Sequence, residues 1–337
     1  MNIVVIRFSS LGDVALTSPV ISSILKNNPD VCIWYVSNPN YNDLFQKNDQ
    51  FHFISADLYG KHKGVLGLKK LVTEITNEIK IDAVVDLHDV LRTKIMKLFF
   101  KLKGINTITF NKGRKEKKEL ISGKIPFKAL PHITDRYSEA FKTLVKNHTI
   151  NTEPTLTELN TSPLHIDENT VTIGIAPFAA HQSKEWGLVK IEQLINNLSN
   201  FDILLFGGES NLKELEILEG KYKNCMSVAG KFNLGNELKI ISKLSLMICM
   251  DSANMHLAHL TGIPIVSIWG PTHHYLGYGP KNDLNHIVEV PKEILPCRPC
   301  SIYGKLQSKS QRKCARMSME KIGVQKVLDK INLIIET

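Results

Sequence analysis

The stretch Met1-Asn-Ile-Val-Val-Ile-Arg-Phe-Ser-Ser-Leu-Gly-Asp13 decides the fold. Ile3–Phe8 is a run of Ile, Val and Phe, the pattern of a strand buried on both faces. Ser9-Ser10-Leu11-Gly12-Asp13 ends it, Val14–Leu25 continues with helical spacing, and Val31–Val36 is the next strand-like run. Strand, short loop, helix and strand make a βαβ unit, which implies a parallel sheet. Working outward, strand-like runs recur at Phe51–Ile54, Ala83–Leu87 and Thr107–Phe110, with helical patterns at Val65–Ile79, Leu91–Leu102 and Arg136–Lys146. Residues 149–169 are rich in Thr, Asn and Pro and read as a linker. The alternation then restarts. Strands are expected at Val171–Ala176, Ile203–Phe206, Leu246–Met250 and Pro264–Trp269, and helices at Val189–Leu198, Asn211–Lys221, Leu234–Leu244, Ala253–Leu260 and Met319–Ile335. The expectation is an α/β chain in two halves. Ligands of such sheets sit at the carboxyl ends of the strands, here in the cleft between the halves.

Length and composition agree with two domains. The chain has 337 residues, 43% hydrophobic and 22% charged, which is ordinary globular composition. No apolar run of about 18 residues occurs. The N-terminus lacks a basic leader and a small-residue cleavage site, so a cytoplasmic protein is expected. Six cysteines in 337 residues are too few for a disulfide scaffold. The net charge of +9 is uneven: residues 1–150 hold 23 Lys and Arg against 14 Asp and Glu, and residues 151–337 hold 19 of each. Residues 90–128 alone hold 12 basic and 2 acidic residues. Arg114, Lys115, Lys117 and Lys118 stand in a loop-like stretch there, which would attract a polyanion or else form a solvated basic face. No aromatic residue interrupts 111–124 to stack on bases, so a nucleic acid partner is not expected. G-x-G-x-x-G does not follow the first strand, and no G-x-x-x-x-G-K-[ST] occurs, which argues against dinucleotide and P-loop sites.

Five loops could carry chemistry. Asp13, at the end of the first strand-to-helix turn, is placed either to accept a proton from a substrate hydroxyl or to cap the helix. Asp251-Ser252-Ala253-Asn254-Met255-His256 follows a strand and opens a helix, so the amides of Ser252 and Ala253 form a site for phosphate. There Asp251 caps the helix or binds sugar hydroxyls, and His256 reaches a phosphate, supports the loop or sits satisfied in the core. Gly270-Pro271-Thr272 is a second short loop on that edge. Ala179-Ala180-His181-Gln182-Ser183-Lys184-Glu185-Trp186 offers Lys184 either as a point charge for a leaving diphosphate or as a surface lysine, with Trp186 packed beneath. Gly207-Gly208-Glu209 brings an acid for ribose hydroxyls, or a helix cap, to a strand end. Cys297-Arg-Pro-Cys300, with Cys314 further on, is half a zinc site that His273 or His274 could complete; a thiol cluster or a disulfide is the expectation.

Together these stretches resemble glycosyltransferase family 9, the bacterial lipopolysaccharide heptosyltransferases. The matching segments are Arg7–Asp13, Ser183–Trp186, Gly207–Glu209 and above all Asp251–Thr272, with the Cys297/Cys300 pair. The resemblance implies a GT-B architecture of two Rossmann-like domains facing across a cleft. It implies an acceptor domain over 1–160, a nucleotide-sugar donor domain over 161–320, and a helix over 321–337 packing back on the first. The implied activity is inverting, metal-independent transfer of heptose from ADP-heptose to the inner core of lipopolysaccharide, with lipid A–Kdo as acceptor and no cofactor, at the cytoplasmic face of the inner membrane. Asp13 would be the base, Lys184 the donor-phosphate lysine, Glu209 the ribose acid, and Asp251 and His256 further donor residues. Arg114, Lys115, Lys117 and Lys118 would face the acceptor. Family members often carry hydroxyl residues before the lysine, where this chain has Ala179 and Ala180. That difference leaves open another nucleotide sugar, or a nucleotide-sugar binder without turnover.

Overall fold

The structure is a computed structural model and describes residues 1–337 except 152, 158, 160, 168, 282, 283 and 337. The chain forms two compact units. The first comprises Met1–Lys112 and Ile133–Leu156, and the second comprises Gly113–His132 and Thr157–Thr337.

The first unit is built on β1 (Asn2–Ile6), β2 (Cys32–Ser37), β3 (Phe51–Ser55), β4 (Ala83–Asp86) and β5 (Asn106–Thr109), all parallel, in the order β3-β2-β1-β4-β5. Its helices are α1 (Leu11–Ala15), α2 (Ser18–Asn27), α3 (Gly64–Glu78) and α4 (Leu91–Leu102). The break after α1 is local: Thr17 turns its hydroxyl onto Val14 O, and Pro19 supplies no amide hydrogen, as suits the first turn of α2. β1 lies at the centre of the sheet with Ile3, Val4, Val5 and Ile6 fully buried, as its unbroken apolar run requires. Leu68, Leu71, Val72 and Ile75 of α3 and Met96 and Phe100 of α4 pack on one face of this sheet.

The basic segment is a helix and not a loop: α5 (Arg114–Ile121). It groups with the second unit, because Lys117 donates to Tyr278 Oη at 2.9 Å, Leu130 N donates to Tyr275 O at 2.9 Å, and His132 Nε2 lies 3.0 Å from Gly279 O. Lys117 is fully buried and sits over the Tyr278 ring, so of the four basic residues singled out it cannot belong to a solvated face. α6 (Ile133–Glu139) returns to the first unit and ends short of the helix expected to run to Lys146.

The second unit holds β6 (Thr172–Ala176), β7 (Asp202–Leu205), β8 (Cys225–Ser227), β9 (Leu246–Met250), β10 (Ile265–Trp269) and β11 (Ile287–Glu289), parallel and ordered β11-β10-β9-β6-β7-β8. Between and after them come α7 (Leu188–Asn197), α8 (Leu212–Lys221), α9 (Leu234–Ile241), α10 (Ala253–Thr261), α11 (Lys309–Glu320) and α12 (Val324–Ile335). The single C-terminal helix expected is thus two, broken at Gly323. Val327 and Ile331 of α12 are fully buried in the second unit's core with Ile191, Ile268 and Val288. Ile331→Ala should therefore lower stability by about 2–5 kcal/mol, the range for truncating a buried Ile. Denaturant unfolding with an unchanged slope measures this, and a loss under about 1 kcal/mol would show that α12 is not part of that core.

Candidate active site

The two sheets each present a charged edge. In the first unit, the chain leaves β1 through Arg7, only 5% exposed. Its guanidinium donates through Nη1 to Leu87 O and pairs through Nη2 with Asp13 Oδ2 at 2.9 Å. Asp13 lies in the first turn of α1, where Ser10 Oγ donates to the same oxygen at 2.8 Å. The carboxylate is thus fixed by a cation and a hydroxyl, yet its side chain keeps 31% of its surface exposed. Its position at the helix start suits the capping reading, and its exposure leaves the base reading open.

Sequence reading missed the residues beside it. Asp86, at the carboxyl end of β4, is fully buried. Its Oδ1 accepts from the amides of His88 (2.9 Å) and Asp89 (2.8 Å), and its Oδ2 lies 3.0 Å from Lys97 Nζ. That turn puts Asp89 in the left-handed region at φ 49°, uncommon for any residue but glycine. Lys112 holds it by donating to Asp89 O at 3.0 Å. Phe8 N points at His88 Nδ1 at 3.4 Å, so the neutral ring carries its proton on Nε2. Burial, then the charges of Arg7 and Lys112, push the imidazole down to about 4. The available signal was Asp-Leu-His-Asp at the end of the strand next to β1.

In the second unit the candidates converge on the carboxyl ends of neighbouring strands. The loop after β6 contains a short 3-10 turn, Gln182–Lys184. Lys184 reaches Asp251, just after β9, at 3.0 Å, and both side chains are 12% exposed. Thr272, after β10, donates to the same Asp251 oxygen at 2.7 Å. Lys184 is therefore no surface lysine. Its stem crosses Gly304, where a Cβ would stand 2.8 Å from Lys184 Cγ; Gly304 also has φ +93°, so both the space and the backbone require glycine. Ser183 Oγ donates to Gly304 O at 2.5 Å and ties the same two segments. Trp186 is buried below and donates to Ile322 O at 3.0 Å. Ala179 N donates to Glu185 Oε1 at 3.3 Å, and Ala180 is exposed. Ser252 is the residue before α10, and its hydroxyl oxygen is buried with no hydrogen bond among the described residues. Ala253 opens that helix and His256, half-buried, lies in its first turn. Glu209 is exposed at the end of β7, after Gly207, where a Cβ would stand 2.8 Å from Leu215 Cδ1.

One side chain organises this edge, and sequence reading passed over it. Arg298 is 1% exposed. It donates to Gly270 O (2.5 Å), Trp269 O (3.1 Å), Thr272 O (3.1 Å) and Val290 O, and pairs with Glu289 at 3.0 Å. His273 Nε2 lies 3.2 Å from the other oxygen of Glu289. Burial opposes ionisation of Glu289, but the His273 hydrogen bond and the Arg298 charge outweigh it and hold the carboxyl well below its usual range. His273, His274 and Glu289 lie close enough together to suggest metal ligands. The tautomer argues otherwise: Tyr275 N donates to His273 Nδ1 at 3.0 Å, so the neutral ring carries hydrogen, not a lone pair, on the nitrogen facing Glu289. Arg298 already supplies the cation. The Cys-x-x-Cys pair is not a zinc half-site either, since Cys297 is joined to Cys314 in a disulfide and Cys300 packs beside Cys314 as a buried thiol.

Two Rossmann-like units, a carboxylate fixed at one sheet edge and a lysine set beside a helix start at the other define a group-transfer enzyme of GT-B architecture. Residues 74–306 match glycosyltransferase family 9 (heptosyltransferase), and the chain belongs to that family and is a glycosyltransferase. It is 24% identical over 301 residues to the lipopolysaccharide core heptosyltransferase OpsX of Haemophilus influenzae, covering 87% of this chain and 85% of that protein. It is 23% identical over 320 residues to lipopolysaccharide heptosyltransferase 1 of Campylobacter coli, covering 87% and 91%. Among solved structures, it resembles a family 9 glycosyltransferase from Veillonella parvula (TM-score 0.76, 20% identity, 100% and 98% of the chains). It also resembles the E. coli heptosyltransferase WaaC with ADP (TM-score 0.71, 16% identity, 99% and 100%).

The His88 environment makes a direct prediction. Below pH 6.5 the unfolded imidazole takes a proton that the folded ring refuses until about pH 4. Its contribution to stability is full above pH 6.5 and is lost as the pH falls towards 4, at about 1.4 kcal/mol per unit of difference. An NMR titration of the His88 ring should show a midpoint near 4; a midpoint near 6.5 would contradict this environment.

Proposed function

We propose that the protein transfers a heptose from ADP-heptose to the inner core of lipopolysaccharide, at the cytoplasmic face of the inner membrane, with inversion at the anomeric carbon. The observation that carries the donor half is the Lys184–Asp251–Thr272 group beside a buried Ser252 hydroxyl that has no hydrogen-bond partner among the described residues. A diphosphate at the start of α10 would take the Ser252 and Ala253 amides, the Ser252 hydroxyl and the lysine charge in one place. An ammonium has three donors, so Lys184 can stay on Asp251 and still reach a phosphate oxygen. His256 would face the same phosphates, and Glu209, exposed at the end of β7, the ribose hydroxyls. Loss of side-chain hydroxyls at Ala179 and Ala180 leaves backbone for this loop's share of the phosphate. That feature also favours a second reading, a nucleotide-sugar binder that does not turn over. Assay of heptose transfer from ADP-heptose, beside other nucleotide sugars, separates the two.

Inverting displacement needs a base for the acceptor hydroxyl and charge compensation for the departing ADP. Asp13 is the carboxylate for the first task. The Arg7 pair orients it, and its exposure leaves it open to a substrate. The acceptor would be an anionic glycolipid such as lipid A–Kdo, met at the membrane surface by peripheral contact. Arg114, Lys115 and Lys118 remain candidates to face its phosphates.

Asp13→Asn should lower turnover by about 10²–10⁴-fold while ADP affinity stays within about twofold. Steady-state transfer with ADP calorimetry measures both, and wild-type turnover would remove Asp13 from the mechanism. Lys184→Ala should weaken ADP binding by about tenfold or more and lower kcat, since a diphosphate loses its nearest cation. Unchanged ADP affinity would place the diphosphate elsewhere.

A further inference from the structure

α4 is apolar on both sides. Thr93, Met96 and Phe100 face inward and are fully buried. Leu91, Leu98 and Leu102 follow at spacings of seven and four, which aligns them along one outward stripe, while Ile95 between them packs partly against the core. Leu91 is 75% exposed, Leu98 55% and Leu102 75%. Single exposed leucines need no explanation, but a stripe of them does. α3 packs beside α4 on the same face of the sheet and adds Leu66, 81% exposed, with Val65 at 55%. Tyr59 is 79% exposed and is tied to the start of α4 by the Arg92 guanidinium, 5.9 Å from its ring centre.

The charges around this stripe are mostly basic, and two acids that border it, Glu74 and Asp89, pair with Lys61 (2.9 Å) and Lys94 (3.7 Å). Residues 58–73 and 90–105 together hold nine Lys and Arg and no Asp or Glu. Lys97 is the exception in direction, turned inward to Asp86. Lys94 and Lys101 flank the leucines at helical offsets and are exposed. Lysines beside an outward apolar stripe are the arrangement of a helix lying in a lipid interface, with leucines among the acyl chains, amines at the phosphates and a tyrosine at headgroup depth. A second copy of this chain would bring the same cations against these, which like-charge repulsion opposes. A nucleic acid would leave the leucines without an apolar partner.

We infer that the outward face of α3 and α4 is a docking surface for an anionic lipid bilayer, with the leucine stripe inserted and the lysines on headgroup phosphates. This specifies the membrane side of the reading above and rests on it, but its test needs neither donor nor acceptor. The full chain should co-sediment with phosphatidylglycerol–phosphatidylcholine vesicles and only weakly with pure phosphatidylcholine. Leu66→Ser with Leu91→Ser, Leu98→Ser and Leu102→Ser should cut that partitioning by about tenfold or more, and Lys94→Glu with Lys101→Glu should do so in a salt-dependent way. All six positions are exposed, and ADP affinity and melting temperature should match the parent. Sedimentation of the parent that neither variant weakens would put the lipid contact elsewhere. A parent that binds no vesicles overturns the inference, as does a concentration-dependent dimer that the serine variant abolishes. Transfer to a water-soluble acceptor fragment should be the same in parent and serine variant. Its failure in both would count against the catalytic reading and leave the lipid surface untouched.

Discussion

The second unit's edge depends on one buried guanidinium. Arg298 has five donors, and carbonyls of residues 269, 270, 272 and 290 together with the Glu289 carboxylate accept from it. Burying such a cation is costly unless its donors are satisfied, and here the acceptors come from the last residues of β10 and β11 and the segments that follow them. The result is a rigid turn at Gly270–Thr272. Thr272 then fixes Asp251, and Asp251 fixes Lys184. Removing the guanidinium would leave carbonyls without partners and release the first link of that sequence.

The first unit solves a parallel problem with Arg7. There too a buried arginine follows a strand, donates to a main-chain carbonyl from the loop of the neighbouring strand, and pairs through its other terminal nitrogen with a carboxylate. The difference lies in what the carboxylate can do next. Asp251 is enclosed and has its oxygen taken by Lys184 and Thr272, so it works as a support. Asp13 keeps 31% of its side chain exposed, with Arg7 and Ser10 on its Oδ2, and is the carboxylate proposed to receive a substrate hydroxyl.

What was legible in the sequence followed from period and position. Buried parallel strands announce themselves as apolar runs, and β1, β2, β6, β9 and β10 lie where such runs lie. The loops that bring Lys184, Asp251 and Thr272 together were legible because each follows a strand's carboxyl end, where sheet ligands gather. β8 and β11, of three residues each, carry too little periodicity to read. The basic run 114–118 read as a loop because its charges hide the helical spacing of Lys117 and Leu120, which are buried by contacts far along the chain. Arg298 was illegible because it is held by main-chain carbonyls that no local pattern marks, whereas His88 stood in the readable stretch Asp86–Asp89 and only its partner, the Phe8 amide 80 residues away, was hidden.

The Lys184–Asp251 pair is not explained by stability. Both side chains are 12% exposed, and removing two charges from water costs about as much as their attraction returns, so apolar residues of similar size would hold the loop as well. What apolar residues could not do is present a positive charge beside a helix start before any ligand arrives. In solution a departing diphosphate must wait for water to reorient around its growing charge. Here Asp251, Thr272 and the Gly304 backbone have already oriented the ammonium, and that reorganisation was completed when the chain folded. On the function proposed above, the chain holds a pair that is close to neutral for folding because its value would appear only when negative charge develops on the substrate.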